Sequence, residues 1–319
     1  MKLVMIGCGG MGTYQARKFC ELGAQIVGAI DHNDSHRQTF CETYHVDEAY
    51  SSMEDMVHFI GKADAVSCCL PNNHHLECCQ LAAQNKLAIL CEKPLCASLQ
   101  EADILYPLSN ERPFMVNFSK RSTQAVAAVQ TWLATQEPGA LEQVEIAYLQ
   151  SWQQSHIWGD PEQEFRWKWR LLPSYNPFGC LGDLGSHLLD LLYFLFDSVH
   201  FEKTLLAAYA QETLVEYQGR LLLDQNIPCT LTCSYRHPEW SDCLQLTIHT
   251  RKGILSLNTT EDRKMVRFVA KTGETTLIAG SPVRSTYERF MDWVETGETG
   301  KPDFQDGYRV QALLEEMME

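Results

Sequence analysis

The sequence predicts a two-domain α/β protein, with a doubly wound parallel sheet over residues 1–120 and an α+β domain over residues 121–319. Three observations predict it. The chain is 319 residues long, which at roughly 150 residues per domain implies about two domains. Its first 120 residues alternate short, β-rich apolar runs with amphipathic stretches, the pattern of parallel strands joined by right-handed helical crossovers. The later chain instead strings together strand-like runs separated by turn signals, the pattern of an antiparallel sheet with few helices.

In the first domain the spacing predicts strands at 2–6, 25–30, 63–70, 87–91 and 114–118, and helices at 11–22, 35–44, 74–85 and 97–108. Sheets of this kind bind ligands at the carboxyl ends of their strands. The second domain opens with a helix over 120–135 and an alternating strand over 143–152. An irregular segment, 153–182, precedes an apolar helix over 184–196. Strands follow near 203–212, 217–224, 228–236, 243–249, 253–258, 265–270 and 275–279, with Lys252-Gly253 and Thr272-Gly273 as turns between neighbours. Helical stretches over 285–297 and 304–318 close the chain.

Composition narrows the function classes. Asp plus Glu number 41 against 26 Lys plus Arg, a net charge of -15. So acidic a chain repels phosphate backbones and anionic lipid, and no basic run offsets this, so neither nucleic acid nor membrane is an expected partner. No apolar stretch approaches the 18 or so residues of a membrane helix. The N-terminus opens directly on a strand with no signal-like segment. Thirteen cysteines are present, but pairs such as Cys68-Cys69 and Cys78-Cys79 sit in apolar stretches, and no CxxC occurs. The expectation is a cytoplasmic protein with reduced thiols acting as small core residues, and no metal site.

Gly7-Cys8-Gly9-Gly10-Met11-Gly12 matches GxGxxG. The match follows a strand and opens a helix in the first βα turn, where glycines permit a tight turn and close backbone approach. The helix N-terminus there presents its N–H groups to a pyrophosphate. Asp31 ends the second strand, 19 residues after Gly12, where a carboxylate accepts hydrogen bonds from ribose hydroxyls. A carboxylate also repels a 2′-phosphate, which favours NAD, while Arg37 nearby keeps NADP open.

Cys91-Glu92-Lys93-Pro94 follows the strand over 87–91, at the ligand-binding edge. Asp183-Leu184-Gly185-Ser186-His187 begins the apolar helix of the second domain, and its Asp and His, four apart, share one helix face. An ammonium, a carboxylate and an imidazole together suit oxidation of an alcohol. The imidazole takes the hydroxyl proton as hydride leaves carbon, the ammonium stabilises the developing alkoxide, and the carboxylate orients substrate or imidazole. Each residue also has a plainer reading: a solvated lysine, a helix-capping aspartate, a core histidine.

Taken in order, GxGxxG, then Pro71-Asn72-Asn73-His74-His75, then Glu92-Lys93-Pro94, then Asp183-x-Gly185-x-His187-x-x-Asp190 resemble the Gfo/Idh/MocA oxidoreductase family. The resemblance extends through Met115-Val116-Asn117-Phe118 and the segment 290–307. It implies an N-terminal Rossmann domain and a C-terminal α+β domain on a large open, mainly antiparallel sheet, a face through which family members form dimers or tetramers. It implies that Lys93, Asp183 and His187 are catalytic. It further implies that Pro71, Asn72, His75, Glu92 and Lys93 line the nicotinamide end of the cofactor site, alongside Gly7, Gly9, Gly10, Met11, Gly12 and Asp31. The chain departs from the family in carrying Pro177-Phe178-Gly179-Cys180 where many members have a run of glycines, so its pocket wall differs.

Trp152, Trp158, Trp167 and Trp169 cluster in the irregular segment, among Arg166, Lys168, Arg170 and His156. Indole faces stack on sugar C–H surfaces and the cations hydrogen-bond hydroxyls, in keeping with the family's bias toward sugars, inositols and other polyols. The same aromatics also suit packing at a domain junction. Expected substrate contacts are Lys93, Asn117, Trp158, Arg170, Asp183 and His187. The leading expectation is an NAD(P)-dependent oxidoreductase acting on a secondary alcohol or its ketone. Two others compete: an enzyme that retains NAD while cleaving glycosides or epimerising, and a non-catalytic dinucleotide-sensing regulator.

Overall fold

The computed structural model describes residues 1–319 except 111, 137–139, 158, 162, 225, 240 and 241, with backbone only for 110, 165 and 166. The expectations placed on Trp158 and on the Arg166 side chain therefore lie outside the described residues.

The N-terminal elements run β1 (Lys2–Ile6), α1 (Gly10–Glu21), β2 (Gln25–Ile30), α2 (Asp34–Tyr44), β3 (Ala49–Tyr50), β4 (Ala65–Cys68), α3 (His75–Gln84), β5 (Ala88–Cys91), α4 (Leu99–Leu105) and β6 (Phe114–Val116). All six strands are parallel, in the order β3-β2-β1-β4-β5-β6. The sheet steps outward from β1 in both directions, which is the doubly wound arrangement read from the sequence. Strands β1, β4 and β5 are buried apart from Lys2, as sheets covered on both faces require. The two-residue β3 and the 3-10 turn Met53–Phe59 are too short to leave a periodic signal. The helix expected over 97–108 stops sooner and gives way to a 3-10 turn at Tyr106–Asn110, because Pro107 offers no N–H to continue it.

The second group of elements is α5 (Gln124–Leu133), β7 (Leu141–Leu149), α6 (Trp152–Ser155), α7 (Phe165–Lys168), α8 (Ser186–Leu195), β8 (Val199–Ala210), β9 (Thr213–Leu223), β10 (Ile227–Ser234), β11 (Cys243–Thr250), β12 (Gly253–Asn258), β13 (Met265–Ala270) and β14 (Thr275–Ala279). Their sheet has the order β14-β13-β12-β11-β7-β10-β9-β8. It is antiparallel except where β10 runs parallel to β7. Strand β9 alternates buried and half-buried residues along its second half, so one face is covered and the other open. Helix α8 and the turn before it lie against β7, β9 and β10, while α5 lies against β12, β13 and β14. Strand β8 begins at Val199 rather than near 203; it is an edge strand with three irregularities in its pairing, and its alternation is correspondingly blurred. The segment read as irregular holds the short helices α6 and α7.

Helices α9 (Thr286–Thr296) and α10 (Phe304–Met318) end the chain. In place of a single cut after residue 120, two compact units form: Met1–Asn117 with Arg284–Gln311, and Phe118–Val283 with Ala312–Glu319. The reason residues 284–311 group with the first unit is apolar. Tyr287, Phe290 and Trp293 of α9 join a core with Phe19, Leu3 and Met5, and the Phe19 ring lies 5.2 Å from Tyr287 and 6.2 Å from Phe290. Among the described residues no helix is long and apolar enough to cross a membrane.

Candidate active site

In the first unit the glycine loop between β1 and α1 makes a cradle. Gly7 has φ +90, and a Cβ there would come within 2.8 Å of the Cys69 carbonyl oxygen. A Cβ on Gly12 would collide with the Gly7 carbonyl, so the turn closes only on glycine. Gly9 and Gly10 face open space instead, and Gly9 caps α1 with no side chain over the helix end. Gly10 and Met11 are exposed beside it. A clear helix N-terminus above close-set glycines fits a pyrophosphate.

Asp31 fixes the loop against β2. Its Oδ2 accepts from the Cys8 N–H at 2.7 Å and its Oδ1 from the Asn33 N–H at 2.8 Å. Each carboxylate oxygen keeps a second acceptor direction for a ribose hydroxyl. Arg37 donates to the Asp31 carbonyl at 2.6 Å and pairs with Asp34, so its charge is already neutralised locally. That leaves the carboxylate of Asp31 to govern cofactor choice, and it favours the form without a 2′-phosphate.

At the far end of the same sheet a buried polar network surrounds Glu92, only 7% exposed. Glu92 Oε1 accepts from Gln15 and from Asn117 Nδ2, the latter at 2.8 Å, while the Lys93 N–H lies 3.3 Å from Oε2. Ser67 donates to Gln15 Oε1 at 2.6 Å, and Asn117 Nδ2 also lies 3.3 Å from the Tyr287 hydroxyl. Burial and the Glu92 charge push the Tyr287 phenol well up, so it stays a neutral hydroxyl. The network joins α1, the loop after β5, the end of β6 and α9. Asn117, expected on substrate, is thus engaged with Glu92, and its Oδ1 has no hydrogen-bond partner among the described residues. Pro71 and Asn72 follow β4, with Asn72 buried. His75 is fully buried and props the loops from beneath: Nδ1 lies 2.9 Å from the Pro94 carbonyl oxygen and Nε2 2.9 Å from that of Leu70. Lys93 is half-buried in the loop after β5.

In the second unit Asp183 sits in a π turn, Leu181–Gly185, directly ahead of α8. Sequence spacing places Asp183 and His187 on one regular helix; the structure puts a wider turn under Asp183, a distortion frequent at functional sites. Asp183 Oδ2 accepts from Arg170 Nε at 3.1 Å and from the Tyr235 hydroxyl at 3.0 Å. Burial, then the Asp183 charge, drives the Tyr235 phenol well above its ordinary range, which keeps it a donor. The Arg170 guanidinium carbon lies 4.5 Å from the Trp169 ring centroid and 5.2 Å from that of Trp167, so two indoles flank the cation. Arg170, expected to hold substrate, therefore holds Asp183. Trp152 is 2% exposed and lies 4.7 Å from the Tyr235 ring, which makes it core rather than a sugar platform.

His187, 7% exposed, is flanked by the rings of Phe118 at 6.2 Å and Tyr148 at 6.1 Å. The Tyr148 hydroxyl donates to Asp242 Oδ1 at 2.8 Å, and burial together with Asp242 raises its pKa well above the usual phenol range. One turn further along α8, Asp190 forms a buried two-pronged pair with Arg121, which anchors the helix to the 3-10 turn Ser119–Arg121. Tyr235, Tyr287, Gln15 and Arg121 carry no motif; the only hint was Gln15, a polar residue in step with the apolar face of α1.

A family model described as "Oxidoreductase family, NAD-binding Rossmann fold" matches residues 1–118, and the C-terminal-domain model of the same family matches residues 126–256. The chain belongs to the Gfo/Idh/MocA family. Within it, glucose-6-phosphate 3-dehydrogenase of Bacillus subtilis is 24% identical over 226 residues, covering 70% of this chain and 61% of the relative. Levoglucosan dehydrogenase of Pseudarthrobacter phenanthrenivorans is 28% identical over 151 residues, covering 47% of this chain and 37% of that relative. The matches thus span less than two thirds of the length of these curated relatives. Among solved structures, levoglucosan dehydrogenase in complex with NADH superposes with a TM-score of 0.87 at 18% identity, covering 100% of this chain and 96% of the other. An inositol dehydrogenase homolog with NAD+ from Azotobacter vinelandii gives 0.87 at 17% identity, covering 99% and 94%. These likenesses show the fold, and residues 1–118 match the family's NAD-binding Rossmann domain.

Proposed function

We propose that this member of the Gfo/Idh/MocA family is an NAD-dependent dehydrogenase of a sugar, inositol or related polyol, with the first unit binding dinucleotide and the second binding substrate. The observation that carries this reading is the fixed Asp183 carboxylate, with Arg170 and Tyr235 both on Oδ2, one turn ahead of His187. A carboxylate held by two donors orients a hydroxyl and an imidazole far better than a capping aspartate free to turn. The glycine cradle and Asp31 fit NAD, which when bound supplies a hydride acceptor at its nicotinamide ring. His187 takes the hydroxyl proton, Lys93 as an ammonium stabilises the alkoxide that develops as hydride leaves carbon, and Asp183 orients the reacting group. The network of Gln15, Asn117 and Tyr287 on Glu92 sets the loop that carries Lys93. Sugar chemistry is supported by the named relatives, which act on glucose-6-phosphate and levoglucosan.

The test is NADH absorbance with NAD or NADP across a panel of sugars, inositols and sugar acids, followed by variants. His187→Ala and Lys93→Met should lower kcat about 10²–10⁴-fold while NAD affinity, read by fluorescence, stays within about threefold. Full activity in either variant removes that residue from the mechanism.

We further infer self-association through the open face of the second sheet and residence in the cytoplasm. The outer residues Glu145, Gln218, Thr230, Thr232, Gln245 and Thr247 line one shallow depression on that face, with exposed Leu206, Ile254 and Leu277 toward its edges. All thirteen cysteines are free thiols, which suits a reducing compartment. Light scattering after gel filtration reads the first inference: a dimer or tetramer supports it and a monomer at micromolar concentration refutes it.

A further inference from the structure

The paired cysteines of the sequence leave a feature that dinucleotide binding does not use. Strands β4 and β5 end side by side at Cys68 and Cys91, which are partners in the parallel register. Helix α3 opens at His75 and carries Cys78 and Cys79 one turn further on. All five residues are 0% exposed. Cys68 Sγ, Cys91 Sγ and a ring nitrogen of His75 lie within 4.8 Å of one another. Cys78 and Cys79, next to each other on α3, bring two further buried thiols to the same region.

His75 adds a second, independent observation. Both of its ring nitrogens face carbonyl oxygens at 2.9 Å, and a carbonyl only accepts. A ring carrying a single N–H would face one of the two carbonyls, the buried one of Pro94 or the part-buried one of Leu70, with a lone pair. Unmatched buried polar contacts of this kind are unfavourable. The conflict disappears when that lone pair is given to a cation and the ring tilts toward the sulfurs.

We propose that Cys68, Cys91 and His75, with Cys78 or Cys79 as the fourth donor, bind one soft d10 metal ion, for which Zn2+ and Cd2+ are the probes. Tetrahedral zinc with bonds of about 2.3 Å to sulfur and about 2.0–2.1 Å to nitrogen sets its ligand atoms roughly 3.4–3.8 Å apart. The three donors need draw together by only about 1 Å to meet that geometry. The site is closed and offers no open coordination position, so its role is structural. Loading replaces the thiol protons by metal–sulfur bonds and releases those protons to solvent, with no change of oxidation state. It also takes from His75 one of its carbonyl contacts, at Leu70 or Pro94, and so acts on the two loops that carry Asn72 and Lys93.

The full chain, reduced and stripped of metal, is refolded with Cd2+, since a buried site loads during folding. The expected result is a sulfur-to-cadmium charge-transfer band that saturates at one equivalent, is lost in Cys68→Ser/Cys91→Ser, and is unchanged in Cys20→Ser, whose cysteine is exposed. X-ray absorption of the wild-type protein refolded with Zn2+ reads the ligands with no variant, and should show three sulfurs and one nitrogen. A band that survives in the double variant overturns the proposal. So does a zinc shell of oxygen alone, or zinc that does not remain through gel filtration.

Discussion

Asp183 shows how this fold turns a common residue into a directed one. Oxygen Oδ2 is shared by a guanidinium and a phenol, and both donors are themselves held. Arg170 lies between indoles and its carbonyl accepts from Asn176 at 3.1 Å, while Tyr235 is fully buried against Trp152. A hydrogen bond to a charged group contributes about 1.5–3 kcal/mol. If that energy holds the carboxylate in its reactive orientation, Tyr235→Phe should lower kcat about 10–100-fold, with KM nearly constant and NAD binding intact. Phenylalanine keeps the ring packed on Trp152, so the thermal midpoint should fall only by the lost hydrogen bond, roughly 2–4 °C per kcal/mol. A loss of stability with unchanged kcat would make Tyr235 a packing residue only. Asp183 and His187 were legible in the sequence because they fall in the Asp183-x-Gly185-x-His187 pattern that resembles the family's. Tyr235 was not, since it approaches from just beyond β10, more than fifty residues away, and nothing local marks a tyrosine that will end its hydroxyl on a carboxylate.

At the scale of elements, α9 is the clearest case of local sequence agreeing with structure. Ser285 Oγ accepts from the Glu288 N–H at 3.2 Å, and Glu288 Oε2 accepts from the Ser285 N–H at 2.7 Å, a complete capping box. The Ser285 N–H and then the Ser285 hydroxyl, both on Oε2, hold the Glu288 carboxyl below its ordinary range. Gly297 at φ +77 ends the helix. The extent of α9 was therefore readable from residues 285–297, but its place was not. Grouping with the N-terminal unit depends on Tyr287, Phe290 and Trp293 fitting the core around Phe19, a match of shapes between distant parts of the chain. Ser285→Ala should destabilise the protein by about 1 kcal/mol and lower Tm by roughly 2–4 °C, with NAD affinity unchanged. An unshifted Tm would mean that the helix is held by its apolar face alone. The π turn before α8 was illegible for the converse reason: Gly182 and Gly185 look like ordinary helical positions until Phe178 and Leu181 are packed against them.

Across the whole molecule, the order of elements was legible because strand and helix periods differ, whereas the polar networks that tune the site were not, because buried polar groups leave no period. One consequence of that buried polarity is a pH dependence. Burial raises the thiols of Cys8 and Cys229, the latter to about 12 with Glu145 adding to the effect. Burial likewise raises the phenols of Tyr148, Tyr235 and Tyr287, reinforced by Asp242, Asp183 and Glu92 respectively. In the unfolded chain these thiols ionise near 8.5 and the phenols near 10. Above those values the unfolded state has lost protons that the native state still holds, so the slope of unfolding free energy against pH is negative. Stability from these groups is fully present below about pH 8.5, declines first on account of the thiols, and declines more steeply above about pH 10 as the three phenols contribute up to roughly 4 kcal/mol per pH unit. Urea midpoints measured under reducing conditions at constant ionic strength should fall in those two stages. Absorbance of ionised tyrosine should show three of the twelve tyrosines titrating only as the protein unfolds. A urea midpoint that stays level from pH 8 to 11 would mean that the phenols reach solvent in the native state, and the fixed orientation of Asp183 by Tyr235 would then lose its basis.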